Sequence, residues 1–188
     1  RFDTAGIPLS VLVIDMEWHK PGWCHWEWNH AFYPRPRAFF DWCHRQGLLV
    51  TLNVHPQHVR KDDAHFAPYV AAAGAAARVE PHTENGRTVD VARVNICDRR
   101  QAEPFFRLLH DPIVRQGMDF WWLDGDHGSL NGTHPQLVAN KLYFENAQRT
   151  GQRGMLLSRY GGVGSHRYGV AFTGDSASQW ETLRSQCE

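Results

Sequence analysis

The 188-residue chain carries 20 basic and 20 acidic residues, and its formal net charge of zero recommends neither nucleic acid nor an anionic membrane surface as a partner. No apolar run approaches the roughly 20 residues of a membrane-spanning helix, and no secretory leader is visible. Cys24, Cys43, Cys97 and Cys187 include no C-x-x-C pair, so neither zinc-knuckle spacing nor a disulfide framework is evident. The length suits one domain. The sequence opens on Arg1 and begins and ends inside apparent secondary structure, which reads as a piece of a longer protein.

Ile7 to Met16 is an apolar, β-branched run closing on Asp15 and Glu17, and it predicts a buried parallel strand with acids at its carboxyl end. The loop from His19 to Tyr33 holds Trp23, Trp26 and Trp28, close behind Trp18. Tryptophan is core material by default, but a cluster in a polar, histidine-rich loop also points to platforms for the C–H faces of sugars. Arg35 to Gln46 has helical spacing, with Phe39, Trp42 and Cys43 on one face and Gly47 as its stop. Leu48 to Val54 is the next strand, ended by His55-Pro56, and the β-α-β unit so formed takes a right-handed crossover.

The segment around 57–92 reads as an irregular insertion, with an Ala-rich helical piece from Tyr69 to Arg78 and a polar loop from Glu80 to Val89. Val94 to Ile96 predicts a short strand. Asp98 is placed to cap a helix from Arg99 to Gln116 that Pro112 kinks or shortens.

Met118 to Asp126 is the stretch around which the rest is arranged. Aromatic and aliphatic residues between Gly117 and Gly125 predict a short buried strand, and Asp124 stands where it ends. Beyond it, His134 to Thr150 predicts a helix, with Leu137, Val138, Lys141, Leu142 and Phe144 at mixed helical spacing. Met155 to Ser158 is a strand ending at Arg159, and Val170 to Thr173 another ending at Asp175. Ser178 to Gln186 begins a last helix. About five strands alternating with helices predict an α/β fold with a parallel sheet, best matched by a partial (β/α)8 TIM barrel. In such a barrel chemistry sits at the carboxyl ends of the strands, where Asp15, Asp124, Arg159 and Asp175 all fall. No G-x-G-x-x-G or phosphate-loop motif supports a nucleotide site.

Three places in this order carry a resemblance. Trp122-Leu123-Asp124 resembles the nucleophile strand of glycoside hydrolase family 31, the α-glucosidase and α-xylosidase group. Ser158 to Tyr168, running on to Phe172-Thr173-Gly174-Asp175, resembles the segment leading to that family's acid/base, and Trp180 falls where the family has a tryptophan. Ile14-Asp15-Met16-Glu17 resembles its substrate-binding strand. The likeness spans Ile7 to Leu183. It implies a retaining, exo-acting α-glycosidase with Asp124 as nucleophile and Asp175 as general acid/base. Asp15 would bind a sugar hydroxyl, Arg159 would stabilise the nucleophile or bind a hydroxyl, and Trp122 and Phe172 would wall the pocket.

The physical logic is consistent with these roles. A retaining glycosidase needs two carboxyls about 5–5.5 Å apart, one ionised and one protonated. A nearby arginine offsets the desolvation of the first, burial beside aromatics raises the pKa of the second, and no metal or other cofactor is required. The chain departs from the family pattern in having Gly125-Asp126-His127 after the nucleophile where Met-Asn-Glu is common, and Phe172 where tryptophan is common. The remaining barrel strands and flanking β-domains would lie outside the 188 residues.

Other readings stay open. Asp124, Asp126, His127, His55 and His134 have the chemistry of a metal-dependent hydrolase on the same barrel, though without H-x-H or H-E-x-x-H spacing. A non-catalytic carbohydrate-binding module, or an inactive barrel fragment, fits the same strand count. Asp15 could cap a turn, Arg159 could serve only as an ion-pair partner, and His55 could line the pocket or simply pack.

Overall fold

A computed structural model describes residues 2–125, 135–148, 151, 153–159, 161–162 and 164–187. In chain order the elements are β1 (Val11–Ile14), α1 (Pro36–Arg45), β2 (Leu49–Val54), β3 (His58–Arg60), α2 (Phe66–Ala73), β4 (Arg78–Glu84), β5 (Arg87–Arg93), α3 (Arg99–Phe105), α4 (Asp111–Val114), β6 (Phe120–Leu123), α5 (Pro135–Gln148), β7 (Leu156–Ser158), β8 (Val170–Ala171) and α6 (Trp180–Cys187). Among the described residues β1, β2, β6, β7 and β8 form one open, wholly parallel sheet in that order. It is a partial α/β barrel of five strands, as the alternation of strand and helix patterns predicts.

The helices follow the predicted stretches but present different faces. In α1, Pro36 occupies the first turn, where its missing N–H costs nothing. Phe40 and Cys43 face the core, whereas Trp42 is half exposed and Phe39 packs on Tyr33 at 5.3 Å. In α5 the buried positions are Pro135, Ala139, Asn140, Tyr143, Asn146 and Ala147, not the apolar set centred on Leu137. The asparagines are buried because they have partners. Ser158 donates to Asn140 Oδ1 at 2.8 Å and Trp121 Nε1 to Asn146 Oδ1 at 2.9 Å, tying α5 to the back of β7 and β6.

Asp98 does cap α3, its carboxylate accepting from Arg100 N at 3.0 Å. Ahead of Pro112 the helix widens into a π-turn, Phe106–His110, before α4. A proline nitrogen cannot complete the α-helical ladder, and re-spacing the hydrogen bonds carries the chain past it.

The segment after β2 is more regular than its composition suggests. Strands β3, β5 and β4 form a separate antiparallel sheet, and the predicted loop from Glu80 to Val89 is instead the β4–β5 hairpin. Its two-residue turn is Asn85-Gly86, at φ 49° and 75°. Asn-Gly is the pair that such a turn demands. Pro81 sits on β4, an edge strand, where no ladder donor is missed. Residues 94–96 form no strand; they turn instead, Asp98 N bonding Asn95 O at 3.0 Å.

Candidate active site

The register of the parallel sheet assembles the site. Val54, Leu123 and Ser158 are paired neighbours across β2, β6 and β7, and Ser158 pairs with Ala171 on β8. The next residue on each strand is therefore His55, Asp124, Arg159 and Phe172, side by side at the carboxyl end. Two residues below, Asn53 pairs with Trp122. Side chains alternate along a strand, so Asn53 and His55 share a face with Trp122 and Asp124. The opposite face, with Trp121 and Ser158, is the one that α5 covers.

Asp124 is the centre of this group. Arg159 Nη1 donates to its Oδ1 at 3.2 Å and Asn53 Nδ2 to its Oδ2 at 3.0 Å, and His55 Nε2 lies 3.6 Å from Oδ2. Its side chain is 13% exposed. A largely buried carboxylate needs such donors to stay charged. Arg159 then reaches across with Nη2 to Asp175 Oδ2, also at 3.2 Å, so one guanidinium spans both predicted acids. Trp122 and Phe172 meet edge to face at 5.3 Å, and the Arg159 guanidinium carbon lies 6.0 Å from the Phe172 ring centre.

Burial pushes the His55 imidazole below its ordinary pKa; the fields of Asp124, Asp15 and Asp175 oppose that shift and Arg159 adds to it. One ring thus feels all four charged residues that the sequence singled out. Asp15 itself is exposed and caps the 3-10 turn Met16–Trp18, accepting from Met16 N at 2.7 Å. The burial expected of Asp175 is not found, because its side chain is 90% exposed.

Asp119, at the amino end of the same β6, does different work. It takes hydrogen bonds from Val50 N at 2.7 Å and from the His44 ring at 2.9 Å, stapling α1 and β2 to the strand.

The tryptophan cluster divides. Trp18, Trp26 and Trp28 are core, with Trp18 Nε1 donating to Asn53 O at 2.8 Å beneath the site. Trp23 alone among the four is exposed, at 46%, and its ring stands edge-on to His55 at 4.8 Å. Asn53 carried no signal in the sequence, whereas His55 and Trp23 were visible as strand-end histidine and loop aromatic.

One ligand-type atom each from His25, Glu27 and Asp63 lie within 4.8 Å of one another. Their hydrogen bonds are directed to the protein. Asp63 accepts from Trp26 N, His65 N and the His65 ring at 2.7–2.8 Å, and Glu27 from Lys20 and Ala64 N. Burial opposes the charge of Asp63, but hydrogen bonds from His25, His65 and Trp26 outweigh it and hold the carboxyl well below the usual range. Of the metal-ligand set considered for a hydrolase, Asp126, His127 and His134 lie outside the described residues.

The family model of the glycosyl hydrolases family 31 TIM-barrel domain matches residues 1–188. An alpha-xylosidase of Saccharolobus solfataricus is 22% identical over 99% of this chain and 27% of its own length. A probable glucan 1,3-alpha-glucosidase of Arabidopsis thaliana is 24% identical over 98% of this chain and 23% of its own. The chain thus spans about a quarter of these relatives. The crystal structure of a GH31 alpha-xylosidase from Xanthomonas citri superposes with a TM-score of 0.78 at 16% identity, over 98% of this chain and 23% of that one, a likeness of fold.

Proposed function

The chain belongs to glycosyl hydrolase family 31, as part of its TIM-barrel domain, and from that premise we propose that the whole protein is a retaining, exo-acting α-glycosidase with Asp124 as nucleophile and Asp175 as general acid/base. The observation that carries this reading is the Arg159 guanidinium held between the two carboxylates at 3.2 Å each. It draws two acids from strands that are not neighbours to one space at the carboxyl end of the sheet.

In the first half-reaction an Asp124 oxygen attacks the anomeric carbon, the glycosidic C–O bond breaks, and Asp175 gives its proton to the departing oxygen. In the second, Asp175 takes a proton from water as that water attacks the same carbon, and the bond to Asp124 breaks. Asp124 must be charged at the moment of attack, and two side chains, Arg159 and Asn53, aim hydrogen bonds at its carboxylate. Asp175 must exchange its proton in each turnover, and its exposure keeps it in contact with solvent. Asp15 is assigned a sugar hydroxyl, and Trp122 and Phe172 the wall of the pocket. The α-xylosidase and α-glucosidase names of the relatives support an α-glycoside as substrate. The remaining barrel strands and flanking β-domains of the family complete the enclosure in this reading.

The test uses the full-length protein and 4-nitrophenyl α-D-xyloside and α-D-glucoside. Asp124→Ala abolishes turnover of whichever is cleaved while circular dichroism stays unchanged. A near-normal rate in that variant removes Asp124 from the nucleophile role.

A further inference from the structure

The β4–β5 hairpin lies outside the barrel sheet, and yet one of its side chains reaches the loop that carries Trp23. We infer that Glu84, the last residue of β4, is a positioning residue for the proposed reaction, holding Trp23 as an aromatic wall for the sugar beside Asp124. The inference rests on the glycosidase reading above and adds to it a device that the hairpin supplies.

Glu84 divides its two oxygens. Oε1 accepts from the backbone N–H of Trp23 at 2.9 Å and Oε2 from Arg60 Nη1 at 2.7 Å. Its side chain is 8% exposed. A carboxylate buried to that extent is costly unless both oxygens are satisfied, and among the described residues it is the Trp23 backbone N–H that satisfies Oε1. The residue before Trp23 is fixed from the same side. Gly22 has φ +120°, and a Cβ there would come within 3.1 Å of the His25 ring and 3.4 Å of Arg60 Nη1. The loop is pinned twice more to the insertion: Cys24 Sγ donates to Gln57 Oε1 at 3.4 Å, and Trp26 N to Asp63 Oδ2 at 2.7 Å.

The backbone is thus held while the Trp23 side chain stays half exposed, the reverse of its buried neighbours Trp18, Trp26 and Trp28. Its ring abuts His55 at 4.8 Å, and His55 Nε2 is 3.6 Å from Asp124 Oδ2. A half-exposed indole on a held backbone, one side chain away from the proposed nucleophile, presents what the C–H face of a pyranose packs against. Because it is fixed from the hairpin, the hairpin sets where that face stands, and with it the width of the pocket.

In the full-length enzyme Glu84→Ala raises KM for the aryl α-glycoside about tenfold, the scale of one lost charge-assisted hydrogen bond, with kcat within about threefold. Glu84→Gln, which keeps an oxygen for Trp23 N, returns most of the affinity. In a Trp23→Ala background Glu84→Ala adds nothing, because the effect runs through that ring. An unchanged KM in Glu84→Ala, or effects that add in the double variant, overturns the inference and leaves the glycosidase reading standing. Should Glu84→Ala fail to fold, Glu84→Asp keeps the charge but is shorter by one methylene; an unchanged KM there overturns the inference equally. A wild-type enzyme that cleaves no α-glycoside overturns the reading itself and this inference with it.

Discussion

Arg159 and Asp124 meet at 3.2 Å from adjacent parallel strands, each one residue beyond the paired Leu123 and Ser158. Their contact follows from the register of the two strands they extend. A lysine carries the same charge but cannot span two carboxylates with one planar group. Arg159→Lys is expected to lower kcat/KM by about 10²- to 10³-fold, in the range of other removed electrostatic donors, with little change in melting temperature. A lysine variant of near-normal activity would reduce Arg159 to a structural ion-pair partner.

Among the described residues Asp175 reaches the site through Arg159 Nη2, and its side chain is 90% exposed. As general acid it matters in proportion to the leaving group's need for a proton. Asp175→Ala should cost orders of magnitude with an alkyl α-glycoside and much less with 2,4-dinitrophenyl substrates, whose leaving groups need little help. Equal losses across a leaving-group series would assign Asp175 another role.

The sheet and the strand-end acids were legible because both depend on local pattern: β-branched runs stopped by glycine or by an acid, at spacings that force parallel crossovers. Asn53 was not legible. In the sequence it is a polar residue inside an apolar run, and only pairing with Trp122 across the sheet shows that it faces Asp124. The hairpin had a signal in Asn85-Gly86, outweighed by the charged, proline-bearing strands around it. The buried face of α5 was hidden for the opposite reason. Asn140 and Asn146 look like solvent residues until the long-range partners that satisfy them are known.

Asn53 gives its own prediction. Its amide donates to Asp124 at 3.0 Å while its backbone carbonyl holds Trp18 Nε1 at 2.8 Å. Asn53→Ala removes the first bond and spares the second. A hydrogen bond to a charged acceptor contributes about 1.5–3 kcal/mol, so kcat should fall by roughly ten- to a hundredfold with the fold preserved. Loss of the fold together with activity would make Asn53 a core residue first.

His58, on β3, sets an acid limit for the hairpin sheet. Burial, with the nearby His82 and the arginines Arg93 and Arg60, lowers its pKa from 6.5 to about 3. Neither ring nitrogen has a hydrogen-bond partner among the described residues. The native ring is therefore neutral at pH values where the unfolded one is charged. Its contribution is intact above about 6.5 and is lost progressively as pH falls toward 3, roughly 3 kcal/mol of it by pH 4.5. Hydrogen exchange of the β3–β5 amides should accelerate over that interval, and His58→Phe should flatten the response. An unchanged pH dependence in that variant would place the acid sensitivity elsewhere.

Two glycines near the site separate strain from mere composition. Gly174 has φ +80°, and a Cβ there would stand 2.7 Å from Arg159 Nε and 3.2 Å from its Nη2, whereas at Gly161 the nearest atom among the described residues is Ser165 Cβ at 3.9 Å. Alanine at 174 that keeps the left-handed backbone costs about 1–2 kcal/mol and also has to move the guanidinium that joins the two acids. Gly174→Ala should therefore lower kcat at least tenfold, the size of a misplaced catalytic contact, while Gly161→Ala stays close to wild type in rate and melting temperature. If both variants keep full activity, the position of Arg159 between Asp124 and Asp175 does not limit the reaction, and the bridge that carries the proposed mechanism loses its force.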